Sequence, residues 1–395
     1  MKKIAIVAPM SYRGGTELSL IQLLRLIPEK QYDITLLIIG DRCDLENEIP
    51  EWIKISPVTS NSCGVSIKES IIRADFFAAI KTAWLTFQRK VFWTLFPEKR
   101  FSHYSLLMEQ YEKPKEEYDV AIAWALPSAI ENVYTLENVK AKRKAMWVHM
   151  DVTKDKPPAD AGAFYARYED IFCVSVACKN KFDEVFPECR KKTKVFYNII
   201  DQTQIRKKAR SPVLLDENVF KIMTCGRLSS EKQPMMAIEI VKKLLETGLR
   251  KFKWYFVGGG GNREFELKEA IRREHLESYI VLLGFQENPH SYVSKADLYI
   301  QMSRHESFCL TLAEAQILGI PAVTTNFPSA YEIVDNGRTG YIVNNDAEEM
   351  FTATLSLITD RKRLAEMKAE LAKNCTVPVG DPVQFLRYID NAVWQ

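Results

Sequence analysis

Short apolar runs alternating with stretches of helical spacing constrain this chain more than anything else in it. Ile4–Ala8, Asp33–Ile39, Val120–Trp124, Lys144–Val148, Ile171–Val176 and Val195–Tyr197 read as buried strands, and Glu17–Ile27, between the first two, has the spacing of a helix. The pattern resumes with Val219–Cys225, Lys253–Val257, Ile280–Leu283 and the run 297–302. Strands separated by helices pair in parallel, because each crossover returns the chain to the same end of the sheet. The predicted fold class is α/β with doubly wound, Rossmann-like sheets, whose ligands lie beyond the carboxyl ends of the strands. At 395 residues, two such domains are expected. A polar, basic stretch through Arg210-Ser211-Pro212 suits a linker, which divides the chain near residue 200 into 1–199 and 200–381.

The run 297–302 leads into Ser303-Arg304-His305-Glu306-Ser307-Phe308-Cys309, and apolar spacing at Leu310, Ala313, Ala315, Ile317 and Leu318 predicts a helix from about Ser307. Its first backbone N–H groups, those of Phe308, Cys309, Leu310 and Thr311, would have no intrahelical partner and could seat an anion such as a diphosphate. Glu306 falls at the mouth of the turn and Glu314 about two turns further on. Taken alone, two such glutamates are more often solvated charges on an ordinary helix.

The surrounding residues change that balance. Glu306-x7-Glu314 with Ala315, Gly319, Pro321 and Val323, the upstream Gly226-Arg227-Leu228-Ser229-Ser230-Glu231-Lys232, and Glu332-Ile333-Val334 with Gly337 and Thr339-Gly340-Tyr341-Ile342-Val343 occur in this order. Together they resemble the motifs of retaining glycosyltransferases of the GT-B fold, of the glycosyltransferase family 4 type that serves bacterial polysaccharide and lipid-linked oligosaccharide assembly. The resemblance implies two Rossmann-like domains facing across a cleft, with a nucleotide sugar bound chiefly by the second. It also implies that a last amphipathic helix, here 382–395, returns to the first domain. One departure stands out: the family usually has Gly-Phe-Gly after the first glutamate, and this chain has Ser307-Phe308-Cys309. The added side chains narrow the space near the donor sugar.

The bulk properties set limits. A net charge of +3 is too small to imply a nucleic-acid partner. No run of eighteen apolar residues predicts a membrane span, and Ile4–Ala8 is too short for a signal-peptide core, so the expected location is the cytoplasm or the inner face of the cell membrane. The eight cysteines are scattered and form no CxxC pair, which reads as reduced thiols rather than a disulfide or zinc framework. No Asp-x-Asp triplet occurs, so no metal or other cofactor is expected.

Further candidates lie along the chain. Gly14-Gly15 follows the first strand, where glycines let a backbone approach a ligand closely. By themselves they are an ordinary strand-to-helix turn; the resemblance places them beside the donor diphosphate and acceptor. Trp147-Val148-His149 closes another strand, and a neutral imidazole there can donate to a sugar hydroxyl or phosphate. By itself a lone histidine after a strand is more often structural; the resemblance puts it near the donor sugar. Gly258-Gly259-Gly260-Gly261 does not match the dinucleotide-binding G-x-G-x-x-G spacing and reads as a backbone turn beneath the nucleotide or a simple loop. Gly284-Phe285-Gln286 resembles the family segment that meets the base, although Phe285 also suits a core position. Between 68 and 100, Phe77, Ile80, Trp84, Phe87, Val91 and Leu95 share one helical face in a stretch rich in basic and aromatic residues. Such a helix either covers the domain core or lies in an anionic membrane interface.

By resemblance, then, Glu306, His149, Arg227 and Lys232 form the catalytic group. Gly14, Gly15, Arg227, Lys232, Phe285, Glu306, Phe308, Cys309, Leu310, Thr311 and Glu314 form the donor site. The expected activity is metal-independent transfer of a hexose, with retention, from a UDP-sugar to a glycan or polyprenyl-diphosphate-linked acceptor in surface polysaccharide or capsule synthesis. A non-catalytic partner of another transferase and a GT-B-type nucleotide-sugar epimerase are the alternatives.

Overall fold

The structure is a computed structural model that describes residues 1–10, 14–40, 43–60, 84, 91–153 and 156–390. It divides into two compact units, Met1–Ile199 with the C-terminal stretch from Gly380, and Ile200–Val379.

Among the described residues the first unit has seven strands: β1 (Lys2–Val7), β2 (Tyr32–Ile39), β3 (Lys54–Val58), β4 (Tyr118–Ala125), β5 (Ala141–Val148), β6 (Asp170–Cys173) and β7 (Thr193–Val195). They lie in the order β3-β2-β1-β4-β5-β6-β7, and every pairing is parallel. Direction of travel across the sheet reverses at β1 and β4, which makes the loops after those strands the natural place for a ligand. The central strands are buried on both faces; all of β4 but Asp119 is buried, as expected of a sheet covered by crossover helices. The strand expected over Ile171–Val176 stops at Cys173, because Ser175 caps the helix Val176–Val185 and its Oγ accepts from Cys178 N at 2.9 Å.

The final helix, Pro382–Ile389, belongs to this unit and is capped by Asp381, which accepts from Val383 N. Its apolar face buries Phe385, Tyr388 and Ile389. Tyr388 stands edge-on to Phe172 at 4.8 Å, and the Arg143 guanidinium lies 4.6 Å from the Tyr388 ring centre. Lys2 Nζ closes the helix by donating to Ile389 O at 2.9 Å. The rest of the expected 382–395 helix, from 391, lies outside the described residues.

In the second unit the strands are β8 (Phe220–Cys225), β9 (Phe252–Val257), β10 (Ile280–Gly284), β11 (Leu298–Gln301), β12 (Ala322–Thr325) and β13 (Gly340–Val343). They are ordered β10-β9-β8-β11-β12-β13, again all parallel, and here the reversal falls between β8 and β11. Both halves thus have the doubly wound, Rossmann-like topology of GT-B proteins. Residues 347–373 form two helices, Ala347–Thr359 and Arg361–Lys373; Asp360 ends the first and caps the second, accepting from Arg363 N.

The Gly258–Gly261 run is explained by close backbone approaches. Gly258 has φ +120°, and a Cβ there would lie 2.3 Å from the carbonyl oxygen of Gly226; at Gly261, with φ +99°, it would lie 2.6 Å from Leu228 O. The two loops are laced together by Leu228 N donating to Gly260 O and Arg263 N donating to Leu228 O. These glycines therefore bring the loop after β9 against the loop after β8, which carries Arg227 and Lys232.

Candidate active site

The reversal in strand order places the loops after β8 and β11 side by side at the carboxyl edge of the second sheet. From the first comes Lys232, from the second Glu306, and Lys232 Nζ donates to Glu306 Oε1 at 2.5 Å. The loops are also joined through the backbone, Arg304 N donating to Glu231 O at 2.8 Å. Burial works against the Lys232 ammonium, but the Glu306 carboxylate more than offsets it, and the Lys232 pKa stands above its ordinary value. Lys232 thus stays a cation. Arg227, on the same loop, is exposed and has no ion pair among the described residues.

Behind Glu306 runs a line of buried polar side chains. Tyr299 OH donates to Gln301 Oε1 at 3.0 Å, Gln301 Nε2 to Ser303 Oγ at 2.6 Å, and Ser303 Oγ to Glu306 Oε1 at 2.6 Å. All three donors are buried, at no more than 1% exposure. Oε1 therefore accepts from both Ser303 and Lys232, whereas Oε2 accepts nothing from the described residues. A carboxylate held through one oxygen has the other left to receive a ligand hydroxyl. Sequence reading missed Gln301 and Ser303. Polar residues at 299, 301 and 303 share one face of an otherwise apolar strand, and that two-residue period was the available signal.

The helix carrying Glu314 runs Leu310–Ile317, three residues later than the expected start near Ser307. Its N-cap is Cys309, whose carbonyl accepts from Ala313 N. Phe308 precedes the helix, and its ring is buried at 1% exposure, so it offers neither a helix N–H nor a side chain to a ligand. The N–H groups without an i−4 carbonyl are those of Leu310, Thr311 and Leu312; Leu312 N faces the Cys309 sulfur. Cys309 has φ +79° and ψ 72°, a left-handed conformation that favours glycine, and the strain costs about 1–2 kcal/mol. Burial, together with Glu306, pushes the Cys309 thiol up to about 12, and burial does the same to Cys225, so both stay neutral.

Glu314 Oε2 lies 3.3 Å from Nε2 of His290, a residue no motif singled out. Phe285, after β10, is 64% exposed, which excludes the core position open to it from sequence.

In the first unit, Gly14 caps the helix Gly15–Leu26 that follows β1; its φ of −122° is ordinary extended backbone, and its carbonyl accepts from Leu18 N. The neighbouring turn residues 11–13 lie outside the described residues. His149 follows β5 and its ring lies 4.8 Å from that of Trp124. Burial pushes the His149 pKa down to about 3, so the imidazole is neutral at physiological pH. Of the 68–100 stretch, 68–83 and 85–90 lie outside the described residues; Trp84, Val91, Trp93, Leu95 and Phe96 are all exposed. Among the described residues no helix is long and apolar enough to cross a membrane, and no group of acidic, histidine and cysteine residues could hold a metal ion.

Residues 205–374 match the family described as Glycosyl transferases group 1. Over 174 residues the chain is 30% identical to the N-acetylgalactosamine-N,N'-diacetylbacillosaminyl-diphospho-undecaprenol 4-alpha-N-acetylgalactosaminyltransferase of Campylobacter jejuni, covering 44% of this chain and 46% of that one. It is 25% identical over 177 residues to the UDP-Gal:alpha-D-GlcNAc-diphosphoundecaprenol alpha-1,3-galactosyltransferase of Escherichia coli, covering 45% of each. The chain spans somewhat under half the length of these curated relatives in the matches. Among solved structures, Anabaena HepE in complex with UDP and glucose is similar with a TM-score of 0.70 and 18% identity over 99% of both chains. The lipopolysaccharide outer core galactosyltransferase WaaB is similar with a TM-score of 0.63, 16% identity and coverage of 98% of this chain and 99% of that one. At these identities the structural likeness is one of fold.

Proposed function

We propose that this chain, whose residues 205–374 form a glycosyl transferases group 1 domain, transfers a hexose from a UDP-sugar to a lipid-linked glycan in bacterial surface polysaccharide synthesis. The observation that carries the reading is the meeting of Lys232 and Glu306 at the strand-order reversal of the second sheet, beside the open N-terminus of the Glu314 helix. UDP and the lipid-linked acceptor are taken from what the relatives are described as using.

In this reading Glu314 accepts from the ribose hydroxyls. Arg227, Lys232 and the N–H groups of Leu310 and Thr311 receive the diphosphate, and Glu306 Oε2 accepts from a hydroxyl of the donor sugar. As the glycosidic bond breaks, negative charge grows on the leaving UDP. Cations and N–H dipoles already fixed in place stabilise that charge without reorganising. The acceptor hydroxyl attacks from the face the diphosphate leaves and gives its proton to a departing phosphate oxygen, so configuration is retained and no carboxylate nucleophile is needed. Gly14, Gly15 and neutral His149 belong to the acceptor and sugar side, and Phe285 offers an exposed ring to the base. No metal is required, and the exposed Trp84, Trp93, Leu95 and Phe96 give a surface for peripheral contact with the inner face of the membrane.

The test is an NMR time course of the purified protein with UDP-Glc, UDP-Gal, UDP-GlcNAc, UDP-GalNAc and GDP-Man in turn, following the anomeric protons, with and without EDTA. Slow release of one sugar, first as the α anomer and at the same rate in EDTA, is expected. An epimerised nucleotide sugar would point to an epimerase. No turnover together with no UDP or GDP binding would leave a non-catalytic partner subunit.

A further inference from the structure

Glu314 is given the ribose in the proposed function, and its carboxylate needs a fixed orientation to accept from two adjacent hydroxyls at once. The described residues place one polar group against it: His290 Nε2, 3.3 Å from Oε2, with the two side chains only 13% and 17% exposed. The 3.3 Å approach is an electrostatic contact, not a hydrogen bond: among the described residues neither His290 ring nitrogen has a hydrogen-bond partner, although both are buried. An imidazole in that state is not explained by the internal bonding of the fold, since burying its nitrogens without partners is unfavourable.

The mounting of His290 is rigid. Pro289 begins the helix Pro289–Val293 with its own φ fixed by the ring, and it restricts the backbone of Asn288 before it. Asn288 Nδ2 donates to Lys208 O at 2.9 Å, and Ser291 Oγ donates back to Asn288 O at 2.7 Å. The ring is thereby carried to Glu314 by its neighbours.

We infer that His290 is a positioning residue for the nucleotide, restricting the Glu314 carboxylate to the orientation in which its oxygens meet the two ribose hydroxyls. The inference rests on the proposed function. Its energetic content is preorganisation: without the imidazole, Glu314 samples other rotamers and must be ordered by the ligand.

The experiment is calorimetric titration of the full chain with UDP and with 2′,3′-dideoxy-UDP, which lacks the hydroxyls. His290→Phe, which keeps a ring without nitrogens, is expected to weaken UDP binding about tenfold and to leave the dideoxy analogue unchanged, so that the preference for UDP collapses. His290→Gln, which restores an N–H at similar reach, is expected to return UDP affinity to within about threefold of the parent. In a Glu314→Ala background His290→Phe has no further effect. If the Phe variant does not fold, His290→Leu against His290→Gln serves the same comparison. Equal loss for both nucleotides, or no loss for either, overturns the inference. A parent that binds neither UDP nor GDP overturns the proposed function, and this inference with it.

Discussion

Lys232 and Glu306, separated by 74 positions in sequence, meet at 2.5 Å, and the same Glu306 oxygen accepts from Ser303. The pair is arranged so that the cation stays charged and the carboxylate is held from one side. Glu306→Gln removes the anion while keeping the shape, and turnover of the preferred donor is expected to fall about a hundredfold or more. Arg227→Ala combined with Lys232→Ala is expected to lower it further, because both cations facing the leaving group go. Initial rates of sugar release measure both; variants that match the parent place the chemistry elsewhere.

Ser303 acts on that carboxylate through a single hydroxyl. Ser303→Ala is expected to lower kcat about tenfold, with UDP affinity little changed, and Ser303→Thr to restore most of it. Rates and UDP titrations on the three proteins separate this from a general loss of folding, which would lower both quantities in the two variants alike.

Gly258 lies against the Gly226 carbonyl with no room for a Cβ, at a φ that side chains rarely adopt. Gly258→Ala is expected to destabilise the second unit by roughly 2–4 kcal/mol. Thermal unfolding would show a midpoint several degrees lower, with the loop bearing Arg227 and Lys232 displaced. Gly260→Ala meets no neighbouring atom, though its φ of +70° is still strained, and it is expected to cost less.

His149 is neutral in the folded protein because burial pushes its pKa down to about 3. The unfolded chain takes up a proton near pH 6.5 and the native state does so only near 3, so between those values the unfolded state binds more protons and stability falls as pH falls. The midpoint of thermal unfolding is expected to drop between pH 7 and pH 4.5. In His149→Gln, which has no titrating group there, the drop should be smaller. A variant as acid-sensitive as the parent would remove His149 from this role.

What the chain determined by itself was local. Short apolar runs and helical spacing located most strands of both sheets but neither β3 nor β12, and the local sequence placed Arg227, Lys232, Glu306 and Glu314 at strand ends and on a helix, since these follow from backbone geometry within a few residues. The start of the Glu314 helix was less legible: a left-handed Cys309 shortens it by three residues, and a propensity for glycine-like backbone cannot be read from a cysteine. The run Gly258–Gly261 was visible as a turn, but its reason, contact with Gly226 and Leu228, exists only when β9 lies beside β8. Tertiary structure alone decided the pairings of Lys232 with Glu306 and of His290 with Glu314. They depend on β11 inserting next to β8, so that loops far apart in sequence share one sheet edge, and no short-range pattern encodes a strand order.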